Sequence, residues 1–134
     1  MSNVPSMKPR RKRWIAAAER RLEPAVLAAL RVRVALDVAR GSCSSADVLE
    51  DAGAPLLAAA ADLLHWLSRA AVPSGFEGAV AELHAAAGVY RNAAIVYPGT
   101  PELEDESRDA RAAACDAMLE QGQHHVAMFR SLVA

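Results

Sequence analysis

The chain has few aromatic residues and no long apolar run. Aromatic side chains make up 4% of its 134 residues, as two Trp, two Tyr and two Phe. The longest apolar run, residues 54–61, ends at Asp62, well short of the roughly 18 residues that span a bilayer. The apolar stretch after the basic N-terminus, residues 14–18, is too short for a secretory signal. We therefore expect a cytoplasmic protein without membrane insertion.

Familiar catalytic motifs are also missing. The sequence contains no Gly-x-Ser-x-Gly, no glycine-rich phosphate loop ending in Gly-Lys, no Cys-x-x-Cys and no Glu-x-x-His. His65 follows Asp62 by three residues and His124 follows Glu120 by four, which gives too few ligands for a bundle metal site. Cys43 precedes a helix without a nearby histidine, so an ordinary loop thiol is favoured over a reactive one. We expect no metal and no cofactor, and a non-enzymatic role is favoured over an enzyme.

The residues that are abundant favour helices. Ala occupies 31 of the 134 positions, and no alternating strand pattern with an Asn-Gly or Asp-Gly turn is present. A chain of this length fits one domain with a single core. The sequence predicts an all-α fold, a single-domain four-helix bundle in up-down-up-down order.

Proline, glycine and capping residues set the predicted boundaries. Residues 1–12 are expected to form a disordered basic tail, and residues 13–134 the helical bundle domain. Pro24 predicts that the first helix is kinked or split near Glu23. The further helices are predicted as a short extra one at 46–52, the second at 55–71, the third at 76–97 and the fourth from Pro101.

The third predicted helix has a regular apolar seam. Its members alternate steps of four and three residues, as in helices that pack along one stripe. They are Phe76, Val80, Leu83, Ala87, Tyr90, Ala94 and Tyr97. Because the seam holds both Tyr residues and one Phe, we expect the other helices to pack around it.

The fourth helix has a similar seam that contains one polar residue. The predicted seam is Cys115, Met118, Gly122, His125, Phe129 and Leu132, flanked by Ala112, Leu119 and Val126. His125 is thereby predicted in the core, with a hydrogen bond to Tyr90 or Tyr97 as the favoured role and contact with a ligand as the alternative.

The first helix is apolar on two sides. One stripe is Ala25, Ala29, Val32 and Leu36, and the other is Leu27, Leu30, Val34 and Val38. Such a helix lies either at the centre of its bundle or against another subunit. We therefore expect a dimer or higher oligomer formed through the first or the second helix.

Charge is distributed unevenly along the chain. Residues 1–40 carry a net charge of +7 and the remainder −8. The basic arm consists of Lys8, Arg10, Arg11, Lys12 and Arg13. Either this arm binds phosphates, which makes nucleic acid a candidate partner, or the first helix docks on its own acidic neighbours.

These features favour a non-enzymatic, self-associating interaction protein that presents surfaces to a macromolecular partner. The alternative is a bundle that binds a small apolar ligand between the third and fourth helices. The pocket residues would be Phe76, Tyr90, Tyr97, Met118, His125 and Phe129. A metal- or cysteine-dependent enzyme is the weaker alternative.

Overall fold

The computed structural model describes residues 4–41, 52–98 and 105–134. These ranges contain no strand and form four packed α-helices, which confirms the predicted all-α class. The helices are α1 (Val4–Gly41), α2 (Gly53–Arg69), α3 (Glu77–Val96) and α4 (Asp105–Val133). Most of the predicted short helix at 46–52, the loop residue Cys43 and the predicted start of the last helix at Pro101 lie outside the described residues.

The first helix is longer and more continuous than expected. It begins at Val4, so residues 4–12 are helical where a tail was predicted, and it runs through Pro24 without interruption. The option of two separate segments is therefore wrong, while a kink stays a prediction. A proline inside a helix costs about 3 kcal/mol. The neighbours Leu22 and Ala25 are both fully buried, and their packing offsets this cost.

A tight turn connects α2 to α3. The α2 helix ends at Arg69, and the turn includes Pro73 and Gly75. Gly75 has a φ of 92°, a backbone conformation that residues with a side chain rarely adopt. The amide of Phe76 then donates a 3.2 Å hydrogen bond to the carbonyl of Pro73, and α3 begins at the next residue.

An aromatic cluster joins the four helices at one place. Trp14 of α1 has ring-centroid distances of 5.9 Å to Trp66 of α2, 5.3 Å to Phe76 at the start of α3 and 6.3 Å to Phe129 of α4. Aromatic pairs at these separations stabilise a core beyond their buried area. The ring contacts are thus centred on Trp14 of α1, and the α3 seam contributes one ring to them.

The α3 helix packs most extensively on α4. A methyl group placed at Gly122 of α4 would lie within 2.8 Å of three ring atoms of Tyr90, so a glycine there lets the two helices approach closely. Nearby, the thiol of Cys115 donates a hydrogen bond to the carbonyl of Ala93 at 3.5 Å. The core between these two helices therefore has no room for a larger side chain at position 122.

The predicted seams are rotated slightly from the observed ones. In α3 the seam residues Val80 and Ala94 are only partly buried, whereas Ala79, Ala86 and Ala93 are buried. In α4 the buried row is Cys115, Leu119, Gly122, Val126 and Phe129. Met118 and His125 are intermediate in burial and Leu132 is exposed, which corrects their assignment to the centre of the α4 seam.

Candidate interaction surface

The two apolar stripes of α1 have opposite environments. The inner stripe, Ala25, Ala29, Val32 and Leu36, is 0–7% exposed. The outer stripe is Leu27, Leu30, Val34 and Val38, and these residues are 49%, 55%, 61% and 44% exposed. Because all four outer residues are large and lie along one helix, they form a continuous apolar ridge on the surface.

Grooves border this ridge on both sides. The α1–α4 groove has a volume of about 510 Å³ and includes Leu30 in its wall. Its other lining residues are Val26, Ala29, Arg33, Leu119, Gln123, Val126, Ala127 and Arg130. The α1–α2 groove, of about 360 Å³, includes Leu27, Arg31 and Pro55. The outer stripe is thus flanked by a concave surface on each side.

Three ion pairs connect α1 to α2 and α4. Arg21 lies 3.2 Å from Asp62 of α2, and Arg33 lies 3.7 Å from Glu120 of α4. Glu19 of α1 accepts two hydrogen bonds from Arg130 of α4, at 3.1 and 3.2 Å. The hydrogen bond to Glu19 raises the pKa of Arg130. Two arginines of α1 thus pair with acidic neighbours, and one acid of α1 pairs with an arginine of α4.

The basic arm also makes contacts within the protein. Arg11 donates a 2.9 Å hydrogen bond to the carbonyl of Ser74, and its guanidinium lies 5.4 Å from the centre of the Phe76 ring. The exposed residues Arg10, Lys12 and Arg13 lie on the same part of α1, while the side chain of Lys8 is outside the described residues. At least one cation of the arm therefore stabilises the α2–α3 turn, and phosphate binding by the arm stays a prediction.

The six residues of the predicted ligand pocket lie mostly in the core. Phe76, Tyr90, Tyr97 and Phe129 are buried in the main hydrophobic cluster, and Met118 packs against it. Burial raises the pKa of Tyr97 to about 12 and also raises that of Tyr90. The two large grooves described above are lined by none of the six. Phe76 and Tyr97 flank opposite ends of the 20-residue α3, so the four buried residues are spread along the core as packing, and a ligand at them stays a prediction.

His125 has a different partner from the expected one. Its Nδ1 lies 2.7 Å from Oε2 of Glu82 on α3, and both side chains are partly exposed, at 30% and 26%. The residue thus sits at the edge of the α3–α4 contact, where its ring can reach a carboxylate. The prediction that His125 is a core side chain bonded to a tyrosine is wrong, because α4 is rotated toward Leu119 and Val126.

The described residues offer little reactive chemistry. Burial, with the charge of Asp116 as a smaller cause, raises the pKa of Cys115 to about 12, so its thiol stays protonated at neutral pH. Among the described residues, no group of three His, Cys, Asp or Glu side chains could hold a metal ion. No helix in the same part of the chain is long and apolar enough to cross a membrane.

Comparison with family models, curated proteins and solved structures found no match for this chain. The candidate surface therefore stands on its own geometry. Sequence reasoning identified the outer stripe, but it missed the α1–α4 groove beside it. The signal for the groove is the pair Leu119 and Val126, which are seven residues apart on α4 and which the predicted seam has as its flanks.

Proposed function

We propose that this chain is a non-enzymatic helical-bundle interaction protein that associates with a second copy of itself through the outer stripe of α1. The observation that carries the proposal is the exposure of four large apolar side chains, Leu27, Leu30, Val34 and Val38, along one face of one helix. Single exposed leucines are common on monomeric proteins, whereas a contiguous apolar patch marks a contact surface.

Self-association is favourable because it would remove the apolar side chains of the outer stripe from water. Burial of apolar surface is worth about 25 cal/mol per Å², and a stable interface needs at least about 1,000 Å² in total. The outer stripe supplies the apolar centre of such an interface. The walls of the two bordering grooves supply the surrounding area, and the arginines and acids at their rims supply a polar edge.

The proposal includes an up-down-up-down order of the four helices. Support comes from the two ion pairs between α1 and α4. Glu19 pairs with Arg130, while Arg33, further along α1, pairs with Glu120, which is earlier in α4. Pairs whose positions rise in one helix and fall in the other favour an antiparallel arrangement of α1 and α4, as the first and last helices of such a bundle have.

Sedimentation equilibrium of the wild-type chain and three glutamate variants tests the function. We expect a dimer for the wild-type protein at tens of micromolar and a monomer for Val34→Glu, because a charge at the centre of the ridge cannot be desolvated cheaply. Ala81→Glu on α3 is the matched control at an exposed position and should remain dimeric. Circular dichroism should show the same helicity for all variants.

The third variant, Ala58→Glu, tests the alternative that α2 forms the interface, since Ala58 is an exposed residue of that helix. We expect this variant to remain dimeric. A strictly monomeric wild-type protein would contradict self-association altogether. A dimer that Ala58→Glu dissociates and Val34→Glu does not would contradict the assignment to α1.

A further inference from the structure

We infer that a groove beside Trp66 binds single-stranded nucleic acid, with arginines on the phosphates and the Trp66 ring as a stacking surface for a base. This Trp66 groove lies between α1 and α2, has a volume of about 360 Å³ and is lined by Ala17, Arg20, Arg21 and Trp66. It is on the N-terminal half of α1, before the outer stripe begins at Leu27. The inference is therefore independent of the proposed self-association.

A row of arginines leads into the Trp66 groove. Arg10, Arg13, Ala17 and Arg20 follow one another at steps of three and four residues, so they lie along one side of α1. The three arginines are exposed, and none has an ion-pair partner among the residues that the structure describes. At about 1.5 Å per residue, this arginine row extends over about 15 Å.

The α2 helix adds a fourth cation at the same end. Trp14 of α1 contacts Trp66 at a ring-centroid distance of 5.9 Å, and Arg21 pairs with Asp62 at 3.2 Å, so the two helices run in opposite directions. Arg69 follows Trp66 by three residues on the same side of α2 and is exposed. The antiparallel order places Arg69 beside the start of the arginine row.

Acidic side chains do little to neutralise these four arginines. Asp62 lies on the same side of α2 as Trp66, and its carboxylate is already paired with Arg21. Glu19 of α1 is paired with Arg130 of α4. Glu23 lines the α1–α2 groove next along the helix and does not line the Trp66 groove. The arginine row and Arg69 thus form an uncompensated positive surface.

The spacing of these charges indicates the class of ligand. Arginines spread over about 15 Å exceed the size of one phosphate group, whereas a chain of phosphates can contact them in turn and release its counterions. The ring of Trp66 in the groove wall selects a single strand, because its unpaired bases can stack on an aromatic side chain. Since every base has a flat face, we expect binding without sequence preference.

Fluorescence anisotropy of the full chain with a labelled oligothymidine of about fifteen nucleotides tests the charge contacts. Four phosphate contacts on a single strand predict a log–log salt slope of about −3. Arg20→Gln should weaken binding about five- to tenfold at ~50 mM salt and should reduce the slope by about 0.7, because one contact is lost. Arg20 has no ion pair in the described part of the chain, so the fold should be unaffected.

Two matched variants control for charge. Arg91→Gln removes the same charge from an exposed position of α3, and Lys12→Gln removes a cation of the basic arm that is outside the arginine row. Both should bind the oligonucleotide within about twofold of the wild-type protein. If either weakens binding as much as Arg20→Gln does, the affinity follows total charge or the arm, and the inference is overturned.

The stacking contact has a readout of its own. Trp66→Leu keeps an apolar side chain against Trp14 and should lower the affinity about fivefold or more with an unchanged salt slope, because stacking releases no counterions. The oligonucleotide should quench tryptophan fluorescence in the wild-type protein. It should not do so in Trp66→Leu, where Trp14 remains and is 6% exposed. An absence of quenching in the wild-type protein would overturn the inference.

The remaining outcomes separate this site from the proposed function. Val34→Glu, which should be monomeric, should bind oligothymidine as the wild-type protein does. No binding at tens of micromolar protein would overturn the inference and leave self-association standing. Stronger binding to a duplex of the same length, or to vesicles of phosphatidylcholine and phosphatidylserine, would assign the arginine row to that anion and would likewise overturn it.

Discussion

The inner and outer stripes of α1 are both apolar and have opposite environments. The inner stripe consists of two alanines, a valine and a leucine, and the outer stripe of two leucines and two valines, so the outer one has the larger side chains. The inner stripe packs in the core with residues of the other helices, whereas the outer stripe stays exposed between two grooves. The comparison teaches that apolar composition alone does not identify the core face of a helix. In α1 the smaller residues lie on the face that packs in the core, and the larger ones lie on the exposed face.

The largest difference in stability between the two stripes is expected when one leucine in each is truncated. Leu36→Ala should lower the free energy of unfolding by about 2–5 kcal/mol, because it leaves a cavity at a side chain that is 2% exposed. Leu30→Ala, at 55% exposure, should change it by no more than about 0.5 kcal/mol. Urea unfolding at low micromolar protein, where a dimer contributes little, measures both. Equal losses would show that the two stripes are not distinct.

Two glycines allow the same comparison in α3 and α4. Gly122 lies against a packed neighbour, whereas Gly88 faces open space. Gly122→Ala should destabilise the protein by about 1–3 kcal/mol, because the new methyl group would meet the ring of Tyr90. Gly88→Ala, with no atom within 4 Å of the added group, should stabilise it by about 0.5–1 kcal/mol through helix propensity. Thermal unfolding of the two variants compares them. Opposite signs are expected, and the same sign for both would contradict the close approach at Gly122.

The smallest expected effect is the pH dependence of stability that arises from two buried groups, Cys115 and Tyr97. Burial raises the pKa of Cys115 from 9.0 and that of Tyr97 from 10.0, both to about 12. The unfolded chain therefore loses these protons at lower pH than the folded protein. Their contribution to stability is complete below about pH 9 and is lost as pH rises toward 12, with a slope of at most about 1.4 kcal/mol per pH unit for each group.

Urea unfolding at pH 8, 9 and 10 should show stability beginning to fall over this range, at first through Cys115. Cys115→Ala removes one of the two groups and should flatten the dependence. An identical pH dependence in the variant would mean that the thiol of Cys115 is not shielded from water in the folded protein.

Much of the fold could be predicted from periodicity and helix-breaking residues. The all-α class and four helices follow from abundant alanine and from apolar residues spaced by three and four. The boundaries of α1 could not be predicted so well. Pro24 predicts a break when taken alone, yet the fully buried neighbours Leu22 and Ala25 hold the helix continuous across it. Local propensity is a weak guide wherever tertiary packing opposes it.

The candidate site could be predicted only in part. The sequence shows the outer stripe as a second apolar face of α1. It does not show whether that face is buried in the core or exposed on the surface. On α4, the rows through Met118 and His125 and through Leu119 and Val126 are almost equally regular, so the pattern could not say which one is buried. Burial now favours Leu119 and Val126, with His125 at the edge beside Glu82.

The sequence by itself determined the secondary structure, because hydrophobic periodicity and alanine content act within one helix. It also determined that α1 has two apolar faces and that residues 1–40 carry a net charge of +7. Only the tertiary structure decided which stripe of α1 and which row of α4 are buried, and that Arg21 and Arg33 pair with Asp62 and Glu120. These outcomes depend on the rotation of each helix about its own axis, which is set by contacts between residues far apart in the chain.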